Sequence, residues 1–257
     1  MLTSPKNPKI QRITRLQTQA RTRRKEGAFV IEGVRLAEEA FQAGWQPELV
    51  LYSDQLSSRG QQLVSRFQAR GVEVFAVSSQ VMRAASDTQT PQGILAVLQI
   101  PDMAVPAPLN FIFIPDGIRD PGNLGTLLRT ALAAGVDAVL LPPGTVDPYA
   151  PKVVRSAMGA HFHLPILARS WDQIRIITAS LHTYLADAGA KLSCFDADFS
   201  VPLALIIGGE ADGAGSEAHT LEAASVKIPM TGSTESLNVA AAGAVLMFEV
   251  ARQRQQP

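Results

Sequence analysis

The alternation of short apolar segments with helix-like segments restricts the fold of this chain more than any other feature of its sequence. Apolar runs such as FIFIP at residues 111–115 and PLALIIGG at residues 202–209 are typical of buried strands. Residues 123–134 instead have helical apolar spacing, and Gly135 follows them as a stop signal. Because strands that alternate with helices form βαβ units, the sequence predicts an α/β fold with a mostly parallel sheet.

A proline-rich stretch, PDMAVPAP at residues 101–108, divides the chain into two segments. Such clusters favour an extended connector over a helix or a central strand. We therefore predict a first domain over residues 1–102 and a second domain over residues 103–257. Residues 1–100 hold 13 Lys and Arg against 8 Asp and Glu, whereas the rest of the chain holds 10 against 15. The basic first segment suggests a surface that faces nucleic acid.

Several features favour a cytoplasmic protein without membrane segments. Cys194 is the sole cysteine of the sequence, so no intrachain disulfide can form. This cysteine has no obvious basic activator nearby, and we expect an inert thiol. The N-terminal residues MLTSPKNPKIQR lack the apolar core of a signal peptide, and the longest apolar run, residues 237–250, is too short for a membrane span.

Three loops of the second segment follow predicted strands, which is where parallel sheets bind their ligands. Each loop carries polar residues: Asn123 and Arg129 in residues 115–131, Glu210 in residues 206–218, and Ser236 and Asn238 in residues 228–252. Taken separately, each loop also has a purely structural interpretation. Asn123 and Ser236 suit helix N-caps, and Asn238 suits a buried structural pairing. The glycine spacing around Glu210 matches neither the dinucleotide nor the P-loop fingerprint.

In this order and spacing, the three loops resemble the signature motifs of the SpoU (TrmH) family of RNA ribose 2′-O-methyltransferases, within the SPOUT superfamily. The motifs here are NLGTLLRTA, GGEADGAG and IPMTGSTESLNVA. The first segment resembles the L30-like substrate-binding domain of that family through GAFVIEGVRLAEEA at residues 27–40 and TPQGILAVL at residues 90–98. The resemblance implies S-adenosylmethionine as methyl donor, RNA as acceptor and a homodimer. It also implies a deep trefoil knot in the methyltransferase domain, which the patterning alone would not suggest because knots are rare.

The resemblance implies roles for individual residues. Catalytic roles are implied for Asn123, Arg129, Glu210, Ser236 and Asn238. Contacts with S-adenosylmethionine are implied for Gly208, Gly209, Ile228, Met230 and Leu237. The chain departs from the usual family pattern at three positions: Gly209, where asparagine is frequent; Ala211, where glycine is frequent; and Ala240, where serine is frequent.

Arg129 is the residue on which the implied chemistry depends most. A ribose 2′-hydroxyl is a poor nucleophile, and much of the rate should come from positioning it against the donor. We expect Arg129 to hold this hydroxyl and the adjacent phosphate. The family is usually described with this arginine as the proton acceptor, but a guanidinium is a poor base. Hydrogen bonding and stabilisation of the developing alkoxide form a milder alternative.

The basic N-terminal region is the predicted RNA contact. Residues 1–25 contain eight Lys and Arg and no acidic residue. Clustered cations bind phosphates through charge and counterion release. We predict RNA contacts for Arg21, Arg23, Arg24 and Lys25, with a solvated basic helix as the alternative.

Other polar residues are weaker candidates for chemistry. His161 and His163 could share a strand face, but they lack a third ligand nearby, and we expect no metal. Asp116 and Asp120 suit loop caps better than a catalytic pair. A non-catalytic RNA-binding protein and a nucleotide-binding α/β enzyme remain alternatives, and the missing phosphate-loop fingerprints argue against the second. Ribosomal RNA is preferred over transfer RNA because L30-like domains are frequent among ribosomal RNA enzymes of this type.

Overall fold

The computed structural model describes residues 1–210, 212–221, 223–232 and 236–255. Its helices are α1 (Pro8–Thr18), α2 (Ala20–Glu26), α3 (Val34–Gln42), α4 (Ser58–Ala69), α5 (Ser79–Ala85), α6 (Pro121–Ala133), α7 (Pro151–Ala157), α8 (Trp171–Thr178), α9 (Ser216–His219) and α10 (Val239–Arg254). Its strands are β1 (Ala28–Glu32), β2 (Leu49–Ser53), β3 (Glu73–Val77), β4 (Ile94–Gln99), β5 (Phe111–Asp116), β6 (Ala138–Leu141), β7 (Ile166–Ala168), β8 (His182–Ala186), β9 (Leu192–Ser193), β10 (Leu203–Gly208) and β11 (Ala224–Lys227). Among these residues, no helix combines the length and the apolar character that a bilayer-spanning segment needs.

The chain folds into two compact units, and each unit is formed by two separate stretches of the sequence. The first unit comprises Met1–Asp102 together with Tyr149–Phe162. The second comprises Met103–Pro148 together with His163–Pro257. The second domain was predicted to be continuous over residues 103–257. The structure differs in that Tyr149–Phe162 packs with the first unit.

Aromatic packing holds the segment Tyr149–Phe162 in the first unit. The ring of Phe29 lies 4.9 Å from that of Tyr149, and Nε1 of Trp45 donates a hydrogen bond to the carbonyl oxygen of Phe162 (3.2 Å). Val154 and Phe162 are buried in the same core as Phe29. Large aromatic surfaces contribute strongly to such cores. These contacts join residues that are far apart in sequence, so the alternation of strands and helices gave no sign of them.

The sheet of the first unit has the strand order β1-β4-β2-β3. β4 is antiparallel to β1 and β2, whereas β2 and β3 are parallel. Because successive side chains point to opposite faces of a strand, β1 directs Phe29 and Ile31 into one core and Ala28 and Val30 into the other. α3 and α4 contribute to the first of these cores, and α1 and α5 contribute to the second.

The basic N-terminal region forms two helices rather than one continuous helical stretch. Asn7 caps α1 by accepting from the backbone N–H of Lys9 (2.9 Å), and the helix ends before Gln19, whose backbone is extended. Arg23 in α2 is buried, and its Nη1 donates to the carbonyl oxygens of Leu16 (2.6 Å) and Gln17 (3.1 Å). Because the last carbonyls of a helix lack partners within it, this arginine satisfies the end of α1.

The sheet of the second unit has the strand order β7-β6-β5-β10-β8-β11-β9, and its neighbouring strands are parallel. The predicted α/β fold with a mostly parallel sheet is therefore confirmed. Every residue of β5 is buried, as expected for a central strand that is covered on both faces. On one face, α10 packs closely against α6 and β10, with Gly243 next to Leu127 and Ile207. The implied trefoil knot stays a prediction.

Two helices of the second unit begin at residues other than those predicted. Asp120, rather than Asn123, is the N-cap of α6, and its Oδ1 accepts from the backbone N–H of Asn123 (2.8 Å). Asn238, rather than Ser236, is the N-cap of α10. The predicted caps, Asn123 and Ser236, were therefore wrong. At each helix start two residues of capping type lie close together in sequence, and only the geometry decides which side chain accepts from the free N–H groups. Asp120, predicted to cap a loop, caps a helix instead.

Candidate functional site

The carboxyl ends of β8, β10 and β11 in the second unit line a cleft. β5 and β10 pair with Asp116 opposite Gly208, and β8 pairs with β10 so that Ala186 lies opposite Ile207. The cleft has a volume of about 460 Å³, within the usual range for small-molecule sites. It is lined by Ala186, Asp187, Ala188, Ile207, Gly208, Gly209, Glu210, Gly213, Val226, Lys227, Ile228, Met230, Ser236, Leu237, Asn238, Val239, Ala242 and Leu246.

Glycines allow two loops to approach each other at the end of β10. A Cβ atom at Gly208 would overlap the backbone of Gly213 and Ala214. A Cβ atom at Gly209 would lie 2.6 Å from the carbonyl oxygen of Gly117, in the loop that follows β5. Glycine is therefore needed at both positions because there is no space for a Cβ atom, and not because the backbone has a positive φ angle.

A buried carboxylate joins the same two loops. Oδ2 of Asp116 accepts from the backbone N–H of Gly215 (2.7 Å), and Asp116 is 6% exposed. This bond fits the predicted loop-capping role of Asp116. It holds the turn after β10, which lines the cleft at Gly213, against the end of β5.

A series of directed hydrogen bonds links the three motif loops. Oδ1 of Asn238 accepts from the backbone N–H groups of Ala240 (2.9 Å) and Ala241 (3.3 Å). Its Nδ2 consequently faces away from α10 and donates to Oδ1 of Asn123 (3.2 Å). Asn123 in turn donates from its Nδ2 to the carboxylate of Glu210. The helix terminus thus fixes the orientation of both amides, and through them the position of the carboxylate.

The structure brings most of the predicted site residues to this cleft. All five residues with implied donor contacts line it: Gly208, Gly209, Ile228, Met230 and Leu237. Glu210, Ser236 and Asn238 line it as well, and Asn123 adjoins it through its two hydrogen bonds. Asn238 is exposed, so the predicted buried asparagine was wrong, but its pairing with another side chain was correct. Ala240 is buried in the first turn of α10, and Ala211 lies outside the described residues.

Arg129 lies apart from the other predicted catalytic residues. It is on the exposed face of α6, six residues beyond Asn123, which corresponds to about 9 Å along the helix axis. As far as the chain is described, the cleft lining does not include it. Its side chain is therefore exposed on α6 and is not part of the described cleft lining.

Sequence reasoning missed several polar residues at this site. Asp187 and Lys227 line the cleft where β8 and β11 end. Their position after parallel strands was the available signal, because ligands bind at the carboxyl ends of such strands. A further pair, Arg119 and Asp212, forms an ion pair between the loop after β5 and the glycine loop (3.3 Å). Nothing in the motif patterns pointed to this pair.

The predicted RNA contacts lie in the first unit and differ in exposure. Arg21, Arg24 and Lys25 are exposed on α2, whereas Arg23 is 4% exposed and bound to backbone carbonyls of α1. A buried guanidinium that is satisfied by backbone carbonyls is not available to a phosphate. We therefore correct the predicted RNA-contacting set by removing Arg23.

The remaining candidates have structural surroundings. His161 lies in a 3-10 turn of the first unit beside the rings of Phe29 and Tyr149, so the strand face that it was predicted to share with His163 does not exist. Over the described ranges, no group of three or more His, Cys, Asp or Glu residues is arranged to hold a metal ion. Cys194 is buried, and burial raises the pKa of its thiol, as expected for an inert cysteine.

Comparison with known proteins matches both segments of the chain. The family model of the SpoU rRNA Methylase family matches residues 110–248, and that of the MRM3-like substrate binding domain matches residues 7–96. The 23S rRNA (guanosine(2553)-2′-O)-methyltransferase RlmP of Bacillus subtilis is 35% identical over 253 residues, which are 96% of this chain and 97% of the relative. The 23S rRNA (uridine(2479)-2′-O)-methyltransferase of Streptomyces viridochromogenes is 29% identical over 263 residues, with coverage of 97% and 91%.

A solved structure shares the whole architecture. The SpoU methyltransferase AviRb from Streptomyces viridochromogenes, solved in complex with the cofactor AdoMet, superposes with a TM-score of 0.86 at 29% identity and covers 98% of this chain and 100% of that chain. The family match extends over more than half of the residues, and it includes the hydrogen-bonded residues Asn123, Glu210 and Asn238. The chain therefore belongs to the SpoU rRNA methylase family.

Proposed function

We propose that this protein transfers a methyl group from S-adenosylmethionine to the 2′-hydroxyl of a ribose in ribosomal RNA. The observation that carries this proposal is the bond series from Asn238 through Asn123 to Glu210, which joins the three motif loops at the edge of the cleft. Two relatives that match nearly the whole chain are named as 23S ribosomal RNA 2′-O-methyltransferases. Their names give different nucleotides, so the proposal specifies the type of RNA and not the nucleotide.

The cleft has the composition that S-adenosylmethionine requires. Met230 and Leu237 are apolar yet 40% and 39% exposed, and both line the cleft, so a planar apolar ring would cover them. Glu210 and Asp187 place carboxylates beside the same space, which suits a ligand with cationic groups. When bound, S-adenosylmethionine supplies an electrophilic methyl group. The other residues that we assign to donor binding are Gly208, Gly209 and Ile228.

We assign the reacting hydroxyl to Arg129. Its side chain is exposed on α6, the helix that also carries Asn123, so an RNA strand can reach it. A guanidinium is a strong hydrogen-bond donor and a poor base, so its contribution is to hold the hydroxyl and to stabilise negative charge on the ribose oxygen. Asn123, Glu210 and Asn238 orient the groups around the acceptor through their hydrogen bonds. Ser236, which also lines the cleft, completes this set.

The first unit supplies the wider RNA contact in this proposal. Arg21, Arg24 and Lys25 form an exposed basic group on α2. Such a group binds phosphates with little sequence preference, so it adds affinity rather than specificity. An RNA substrate and a soluble methyl donor also make the cytoplasm the compartment that we propose.

We further propose that two copies of the chain associate through α6 and α10. Exposed residues recur along α10 with helical spacing at Ala241, Val245 and Phe248, so one exposed stripe of the helix is apolar. Leu132 of α6, which packs on α10, is 36% exposed as well, and Phe248 is 51% exposed. A contiguous apolar stripe at the surface of a compact unit is typical of an interface. A second copy is the occupant that the family resemblance implies.

Two measurements test the proposed reaction. Calorimetry with S-adenosylmethionine should detect binding to the intact protein, and absence of binding would favour the non-catalytic alternative. Mapping of 2′-O-methyl groups should then find one ribosomal RNA site that is lost when the gene is deleted and regained when it is restored. A site found in transfer RNA instead would contradict the proposed substrate.

Substitution of Arg129 tests the assignment of the hydroxyl. Arg129→Ala should reduce methyl transfer by about 10²- to 10³-fold, the range for removing one donor to a developing oxyanion. Donor affinity should stay unchanged, because Arg129 does not contribute to the described cleft lining. Arg175→Ala removes another exposed arginine of the second unit and should leave the rate unchanged. Equal rates for Arg129→Ala and the original protein would refute the assignment.

A further inference from the structure

An exposed ion pair bridges two loops beside the cleft, outside the residues that hold the donor or the hydroxyl. Nη2 of Arg119 lies 3.3 Å from Oδ2 of Asp212, and the two side chains are 76% and 75% exposed. Arg119 directly precedes the N-cap of α6, and Asp212 lies two residues beyond Glu210. An exposed pair of this kind contributes little free energy, so either partner is readily exchanged for another.

The backbone that carries Arg119 is fixed although its side chain is exposed. The backbone N–H of Gly117 donates to Oγ1 of Thr145 (3.1 Å). The backbone N–H of Val146 donates to the carbonyl oxygen of Ile118 (2.9 Å), and the side chain of Ile118 is fully buried. The guanidinium is therefore attached to a rigid base next to the cleft, an arrangement that lowers the cost of binding a ligand with this group.

An arriving RNA strand meets carboxylates at this edge of the cleft. A strand that presents a ribose to the cleft also brings a phosphate with every nucleotide. Glu210 and Asp187 line the cleft and Asp212 follows Glu210 closely, so these carboxylates repel phosphates. Lys227 lines the cleft as well, but it ends β11, which β10 and β8 separate from β5. Arg129 is too far away to bind a phosphate at the N-terminus of α6, because nine residues, or about 14 Å along the helix axis, separate it from the N-cap Asp120.

We propose that Arg119 is a substrate-positioning residue that exchanges Asp212 for a backbone phosphate of the RNA beside the target nucleotide. The inference rests on the proposed function and adds a residue to it. A guanidinium binds a phosphate in a bidentate manner, which fixes the strand as well as attracting it. In the free protein Asp212 holds the guanidinium beside the cleft and competes with the phosphate.

Binding of an unmethylated 23S ribosomal RNA transcript at several salt concentrations tests this inference. Arg119→Ala should weaken binding on the order of tenfold, as for a lost charge-assisted bond. It should also reduce the slope of log K against log salt by about 0.7–0.9, the contribution of one phosphate. Arg119→Lys keeps the charge and should restore the slope. Arg175→Ala is the matched control, because that residue lies in another exposed pair near the first residues of β8, at the opposite edge of the sheet.

A double-mutant cycle tests the exchange with Asp212. Asp212→Asn removes the competing carboxylate and should tighten RNA binding by about 1.5- to 5-fold. The gain should disappear in the Arg119→Ala background, whereas a gain that persists there would mean that Asp212 acts by repulsion alone. An unchanged salt slope in Arg119→Ala, with the original protein still methylating RNA, would overturn the inference. Loss of methylation by the original protein would instead overturn the proposed function.

Discussion

Asn238 offers a way to separate the structural and the functional roles of one side chain. Its Oδ1 caps α10, and its Nδ2 donates to Asn123. Asn238→Ala removes both contacts, whereas Asn238→Asp keeps an oxygen for the cap and loses the donor. Because aspartate caps helices as well as asparagine does, the two variants should differ in stability.

The stability effects follow from the cap alone. Asn238→Ala should destabilise the fold by about 1 kcal/mol, which corresponds to a decrease in Tm of about 2–4 °C for a unit of this size. Asn238→Asp should remain within about 0.5 kcal/mol of the original protein, because a negative charge is favourable at a helix N-terminus. Thermal unfolding followed by circular dichroism measures both values.

The effect of Asn238→Asp on activity follows from the direction of the bonds. With two acceptor oxygens at residue 238, the amide of Asn123 must rotate to donate to the new carboxylate. Its Oδ1 then faces Glu210, and the bond that orients that carboxylate is lost. Charge-assisted bonds contribute about 1.5–3 kcal/mol when shielded, and Glu210 is exposed, so a decrease in kcat/KM of about tenfold is expected.

Steady-state methylation with an RNA transcript and labelled donor provides the measurement. The informative outcome is a stable Asn238→Asp variant with reduced kcat/KM beside a destabilised Asn238→Ala variant. Full activity in Asn238→Asp would refute the bond series as the determinant of the site. A loss of stability in Asn238→Asp equal to that in Asn238→Ala would refute the capping argument.

Three further predictions concern donor binding, association and folding. Gly208→Ala should weaken S-adenosylmethionine binding by at least about tenfold and lower the free energy of unfolding by about 1–3 kcal/mol, because the new Cβ atom would overlap backbone atoms and not a flexible side chain. Calorimetry measures the first effect and thermal unfolding the second. Phe248→Asp should weaken self-association by at least about tenfold in sedimentation equilibrium, because the charge would lose its solvation in an apolar interface. Arg23→Ala should destabilise the protein by about 2 kcal/mol in denaturant unfolding, because two helix-terminal carbonyls lose their donor.

Each of these variants has a control of the same type. Gly189→Ala introduces a methyl group near the cleft with an ordinary contact of 3.4 Å to Asp187, and should leave donor affinity unchanged. Phe195→Asp changes a residue of similar exposure, 56%, outside α6 and α10, and should leave association unchanged. Arg24→Ala changes an exposed neighbour of Arg23 and should leave stability within about 0.5 kcal/mol. Equal effects in a variant and its control would contradict the corresponding prediction.

The parallel sheet and the position of a cleft at its strand ends could be predicted from the sequence, because both depend on local patterns. Apolar runs followed by glycine-rich loops indicate strand ends, and in a parallel sheet strand ends converge. Helix starts were harder, since Asp120 and Asn123 are both suitable caps and only geometry decides which one accepts. Pro121 was the neglected signal, because proline favours the first position of a helix.

Other features depended on contacts between distant residues. The burial of Arg23 could not be inferred from the sequence, because a run of basic residues is usually a solvated surface. The carbonyl groups that bind Arg23 are free only because α1 ends there. Similarly, the position of Tyr149–Phe162 in the first unit depends on aromatic partners more than 100 residues earlier in the sequence, such as Trp45. Periodicity reports the side of an element that is buried, but not the surface that covers it.

The bond series also changes how the motif residues should be interpreted. From the sequence, Asn123 and Asn238 each had two alternative interpretations, a structural residue or a ligand contact. In the structure, one set of contacts has both roles. The N-terminus of α10 orients Asn238, and Asn238 orients Asn123. Asn123 in turn holds the carboxylate of Glu210. Alanine substitution of Asn238 therefore removes the cap of α10 and the bond to Asn123 together. Isosteric exchanges such as Asn to Asp, which reverse a bond without removing the side chain, are the changes that can distinguish the two roles.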